Sequence, residues 1–234
     1  LTVNAIAGGT TTNTLIKTGS GTLVLPNANS FVGATTVNAG AVTVSNNASF
    51  GDNTLGFNNV TVNNATINSV GTAITLANNI ALNGTSDTFN IASGSNTLTL
   101  SGTLTGNAQL VKSGSGTLVV GGVTTNTFSG TTSITGGTVN IGKSSALGNG
   151  ALTVTTGSLG LVGTNLAITN TINLMTGATL VDNNANGRNV ISGAVNLNGN
   201  NTINVANATG NQLTISGAIS GNAASLTKSG AGTL

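Results

Sequence analysis

The sequence predicts an all-β fold: a right-handed, single-stranded parallel β-helix, a solenoid of about 19–21 residues per coil and about 12 coils. Residues 1–234 read as one continuous β-helix section. Three observations predict this. A long segment recurs along the chain, short runs of alternating apolar and polar residues are separated by Gly and Asn, and no stretch sustains a helical period.

The recurrence comes first because it sets the architecture. Leu15-Ile16-Lys17-Thr18-Gly19-Ser20-Gly21-Thr22-Leu23-Val24 returns as Leu110-Val111-Lys112-Ser113-Gly114-Ser115-Gly116-Thr117-Leu118-Val119. A third copy, Leu226-Thr227-Lys228-Ser229-Gly230-Ala231-Gly232-Thr233-Leu234, stops at the last residue. Downstream, Asn29-Ser30-Phe31-Val32-Gly33 matches Asn126-Thr127-Phe128-Ser129-Gly130, and the likeness runs on to Val44 and Ile141. The copies divide the chain into modules 1–97, 98–212 and 213–234. An up-and-down barrel or a sandwich also uses many short strands, but tandem copies favour an open-ended solenoid.

Runs such as Thr22-Leu23-Val24-Leu25, Ala41-Val42-Thr43-Val44 and Thr61-Val62 carry the period of two expected of strands. The Gly and Asn between them tolerate the backbone of tight corners. Lys17 to Lys112 is 95 residues and Lys112 to Lys228 is 116, a difference of 21, the size of one coil. If modules hold whole coils, every copy lies in phase on one face, and about 12 coils at the parallel-strand spacing make a rod roughly 55 to 60 Å long.

Composition supports a thin core. Only 3% of residues are charged, against about 25% in ordinary soluble domains. Hydrophobic residues make up 38%, aromatic residues 2%, so Val, Leu, Ile and Ala must fill the interior. The net charge of +2 comes from five basic and three acidic residues, and no nucleic-acid partner is implied. Neither Cys nor His occurs, which removes disulfides and the usual transition-metal ligands. No apolar stretch is long enough for a membrane helix, so membrane attachment is expected only through a C-terminal region outside this sequence. Leu1-Thr2-Val3 has neither a start Met nor a signal peptide, and the chain reads as part of something longer.

These residues resemble the autotransporter-associated β-strand repeat, which reads approximately Leu-x-Lys-x-Gly-x-Gly-Thr-Leu-x-Leu, then Asn-x-aromatic-x-Gly-x-Thr-x-Val. The resemblance is close at 15–44 and 110–141, partial at 226–234, and covers about a third of the chain. Phe31 and Phe128 stand at the aromatic position, where Tyr is commoner. The resemblance implies a passenger region secreted through the bacterial outer membrane and folded as a β-helix at the cell surface. Absence of Cys suits a passenger that crosses an oxidising periplasm unfolded.

Residues that carry chemistry are few. Lys17, Lys112 and Lys228 read as solvated lysines beside a Gly turn, protecting strand edges. Gly19/Gly21, Gly114/Gly116 and Gly230/Gly232 read as turn glycines, since no helix follows to build a phosphate loop. Asp52, Asp87 and Asp182 are the only carboxylates and stand far apart, with a single Arg188, so paired acid–base chemistry is not expected and neither is a cofactor. Gly51-Asp52-Asn53-Thr54-Leu55-Gly56 is a faint calcium-turn pattern that occurs once. Thr97-Leu98-Thr99 and Thr153-Val154-Thr155 place pairs of hydroxyls outward, as ice-binding solenoids do. Varying coil length argues for ordinary strand threonines there. Runs such as Asn58-Asn59, Asn63-Asn64 and Asn183-Asn184 read mainly as turn asparagines that can stack as amide ladders.

The expected role is therefore non-enzymatic: an extracellular stalk or fibre-forming bacterial surface protein, self-associating laterally or end to end through neutral Asn/Thr-rich faces. An adhesin reading a host or glycan receptor through loops such as 182–189 is the alternative, and a polysaccharide-acting enzyme the remote one.

Overall fold

A computed structural model describes residues 1–8, 13–51, 56, 58–184, 187–207, 210–222 and 224–234. Every element named among them is a strand, and every strand pairing is parallel. Three faces wind round one core. The first carries β1 (Leu15–Lys17), β3 (Thr35–Val37), β5 (Val60–Asn63), β8 (Ile80–Asn83) and β11 (Leu104–Gly106). It resumes with β18 (Ala167–Ile168), β21 (Arg188–Ile191) and β24 (Gln212–Ile215), which hold the same place in the winding order. Between these two sheets the face continues as hydrogen-bonded chain: Thr127 N–H donates to Leu104 O at 2.9 Å and Asn149 N–H to Phe128 O at 3.1 Å.

The second face is one ten-stranded sheet. It runs β2 (Thr22–Leu25), β4 (Ala41–Val44), β6 (Thr66–Ser69), β9 (Ser86–Ile91), β12 (Gln109–Ser113), β14 (Thr132–Ile134), β16 (Leu152–Val154), β19 (Ile172–Met175), β22 (Val195–Asn198) and β25 (Ile219–Gly221). The third has eight strands: β7 (Ala73–Leu76), β10 (Thr97–Leu100), β13 (Thr117–Val120), β15 (Thr138–Ile141), β17 (Ser158–Leu161), β20 (Thr179–Asp182), β23 (Asn201–Val205) and β26 (Leu226–Ser229).

These strands form because alternate residues are apolar and their neighbours neutral and polar. Leu98 and Leu100 are buried in β10 while Thr97 and Thr99 face out, and each coil repeats the pattern. Leu23, Val42, Ile67 and Phe89 therefore stack in one inward column, and one contiguous core runs through the rod. Pairing links only adjacent coils, so stability accumulates coil by coil.

The fold class agrees with the expectation, but the count does not. The rod has about nine turns rather than 12. Successive partners on the second face lie 19 to 25 residues apart, as at Leu23↔Val42 and Val42↔Ile67. From Leu23 to Gly221 is 198 residues in nine steps, a mean of 22. At about 4.8 Å per step the rod is about 43 Å long, not 55 to 60 Å. Corners are longer than the strand spacing in the repeats suggested.

The copies are also not in phase. Four pairing steps, Lys17↔Val37↔Val62↔Leu82↔Gly106, use 89 residues, and Lys112 follows six later on the next face. Five steps, Lys112↔Ile134↔Val154↔Leu174↔Leu197↔Gly221, use 109, and Lys228 follows seven later, again one face on. The modules are thus four coils plus one face and five coils plus one face. The 21-residue difference is one coil, as the spacing indicated, but the copies lie on three different faces. This is permissible because all three faces demand the same inward alternation.

Candidate functional site

The recurring lysine marks a corner. Lys112 lies inward in β12, between Phe89 and Ile134, and is fully buried. Its Nζ donates to the carbonyls of Ser113 and Gly114, both at 2.8 Å, and of Gly136 in the next coil at 3.1 Å. Lys17 makes the same three bonds, to Thr18 at 2.9 Å, Gly19 at 2.7 Å and Ala39 at 3.0 Å. Lys228 donates to Gly230 O at 2.9 Å. The expectation of a solvated, edge-protecting lysine is corrected at Lys112: the ammonium clamps two corners together. Burial lowers its pKa to about 8, while the three carbonyls hold the proton in place.

The glycines fit the same device. Gly19, Gly114 and Gly230 adopt φ of 73°, 75° and 75°, the left-handed region that closes the turn. Gly116 is needed for space, because a Cβ there would come within 2.2 Å of Ile91 Cγ2. Gly232 is crowded in the same way, by Val205 Cγ1 at 2.5 Å, whereas a Cβ at Gly21 in the first copy would meet nothing within 4 Å.

Phe31 and Phe128 are both buried, and the Asn two residues before each bridges three coils. Asn126 Oδ1 accepts from Leu104 N–H at 3.0 Å and its Nδ2 donates to Ala146 O at 3.0 Å. Asn29 does the same between Ile6 N–H at 2.7 Å and Ser49 O at 2.6 Å. Such buried side chains satisfy corner backbone groups that no strand partner reaches. The recurring Asn-x-Phe was the sequence signal for them.

Residues 15–44 and 110–141 match the family model of the passenger-associated-transport-repeat. The two matches together span 62 of the 234 residues. No curated protein and no solved structure matches it. The passenger repeat points to an autotransporter passenger domain, a surface-associated class of protein.

In the passenger repeats the first strand, turn and second strand sit on faces one and two in the first copy, and on two and three in the next. The third stretch of likeness places Lys228 on face three, and its Thr233 bridges to Gln212 on face one. The corner motif thus occurs both between faces one and two and between faces two and three, each time with a carbonyl of the next coil completing the lysine's bonds.

The carboxylates do not converge. Asp52 and most of the faint calcium pattern lie outside the described residues. Asp87 points inward from the second face. Its Oδ1 accepts Ala65 N–H at 3.2 Å and its Oδ2 has no partner. Burial raises its pKa to about 6, opposed by backbone N–H groups of Ala65, Asn83 and Asn64. Asp182 points inward from the third face, ringed by Asn184, Asn189 and Asn211; burial raises its pKa against those bonds. Arg188 is exposed on β21. Among the described residues no group of acidic side chains is arranged to hold a metal ion.

Outside, amides pair between coils: Asn63 Nδ2 donates to Asn38 Oδ1 at 3.0 Å, Asn79 to Asn59 at 3.3 Å and Asn90 to Asn68 at 3.0 Å. The longest run, Thr153–Asn173–Asn196–Ser220, joins four strands of the second face.

Proposed function

We propose that the chain is a section of a rigid extracellular stalk on a bacterial surface, and that such rods associate with copies of themselves along the ten-stranded face. One observation carries this reading: charge is sparse, with eight charged side chains in 234 residues, of which Asp87, Asp182 and Lys112 are buried. Lys17, Lys112, Lys143 and Lys228 donate to atoms of the corners. Among the described residues Arg188 is the one charged side chain with no intramolecular bond. Repulsion between rods is correspondingly small. The second face also has much of its outward polarity bonded internally, which lowers the cost of dehydrating it against a second rod.

Sedimentation velocity across a concentration series at low and high salt tests this. Association that grows with concentration and is insensitive to salt is expected. A chain that stays monomeric at its solubility limit refutes it. Substituting the exposed Arg188→Gln is expected to leave association intact.

A further inference from the structure

We propose that the third face binds ice. Its strands bring into one outward column Ala73, Thr97, Thr117, Thr138, Ser158, Thr179, Thr202 and Thr227. Seven successive rungs thus carry a hydroxyl, about 4.8 Å apart over about 29 Å. The coils between them vary from 20 residues at Thr97↔Thr117 to 25 at Thr202↔Thr227, yet the strands stay in step because the extra residues are housed in corners. The objection that varying coil length would break a threonine row is therefore removed.

The hydroxyls of this column make no bond within the chain, in contrast to the linked Thr153–Asn173–Asn196–Ser220 run on the second face. Side-chain stiffness matters too. A β-branched threonine on a strand has few rotamers, so neighbouring rungs offer methyl and hydroxyl in a repeated orientation. The next outward column, Thr75, Thr99, Val119, Asn140, Gly160, Val181, Asn204 and Ser229, is small and uncharged.

These features select the occupant. An ionic partner finds no counter-charge on either column. A sugar finds no aromatic ring to stack on in either column, and among the described residues Phe31, Phe50, Phe89 and Phe128 are all buried. A single molecule has no use for seven equal rungs. What fits is an uncharged, hydrogen-bonding lattice whose own spacing repeats along the rod, and the surface of an ice crystal has that character.

The test is thermal hysteresis and ice-crystal shaping by the purified chain. The parent is compared with a third-face variant, Thr138→Lys with Thr179→Lys, and a second-face control, Thr66→Lys with Thr153→Lys, each verified as folded by circular dichroism. Shaping and hysteresis by the parent and control, lost in the third-face variant, are expected. If the lysine variant does not fold, Thr138→Ser with Thr179→Ser keeps the hydroxyls but removes the methyls and the rotamer restriction, and a clear loss is again expected. Normal ice growth with the parent at millimolar concentration overturns the proposal. So does an equal loss in both lysine variants, or binding to insoluble cellulose without any effect on ice.

Discussion

Replacing Asp87 with Asn isolates the cost of one buried carboxylate. Asp87 is fully buried and its pKa is raised from 3.8 to about 6. In the unfolded chain it loses its proton near 3.8; in the folded chain it keeps it until about 6. The folded state therefore binds more protons across that window. The stabilisation is fully present below about pH 4 and is lost as pH rises through 6. At 1.36 kcal/mol per pKa unit, the parent loses about 2 to 3 kcal/mol between pH 4 and pH 7. Asn keeps the oxygen that accepts Ala65 N–H and has no such titration. At the unpartnered Oδ2 position the neutral acid has one O–H and the amide two N–H donors, an offset that does not vary with pH and so leaves the pH dependence of the difference unchanged. The stability of Asp87→Asn relative to parent is thus expected to rise by about 2 to 3 kcal/mol from pH 4 to pH 7. Urea titrations of both proteins at several pH values, with hydrogen exchange at Ala65, measure it. Asp182 titrates equally in both and drops out of the difference. A difference that does not change with pH refutes the reasoning.

Lys112→Met removes three charge-assisted bonds and relieves the burial of an ammonium, for a net loss of about 1 to 3 kcal/mol, read as faster amide exchange around Gly114. Because its pKa falls from 10.5 to about 8, the parent should gain stability as pH rises from about 8 toward 10.5, and Lys112→Met should lack that gain. Phe128→Ala empties a buried aromatic site and should cost about 3 to 5 kcal/mol in denaturant titration. Val154 pairs with Leu174, so deleting 155–174 removes one coil and should leave a folded rod by circular dichroism. Deleting 155–173 instead sets Leu174 directly after Val154 in a short strand, an extra residue that the adjoining corner takes up, and should lower stability in urea titration while leaving unfolding cooperative.

Much of this protein was legible before folding. Parallel strands, a thin aliphatic core, turn glycines and the repeat boundaries all follow from local rules, because alternation and corner backbone conformation act over a few residues. The one-coil difference between modules was legible for the same reason. The number of coils, the phase of the repeats and the burial of Lys112 were not. Corners absorb between a few and a dozen residues without disturbing strand pairing, so the spacing of repeats does not reveal the coil length. A lysine in an alternating strand reads as outward until the next corner supplies carbonyls for its ammonium. The threonine column shows the same division: each threonine is visible in the sequence, but only register between coils of unequal length sets seven hydroxyls in one line.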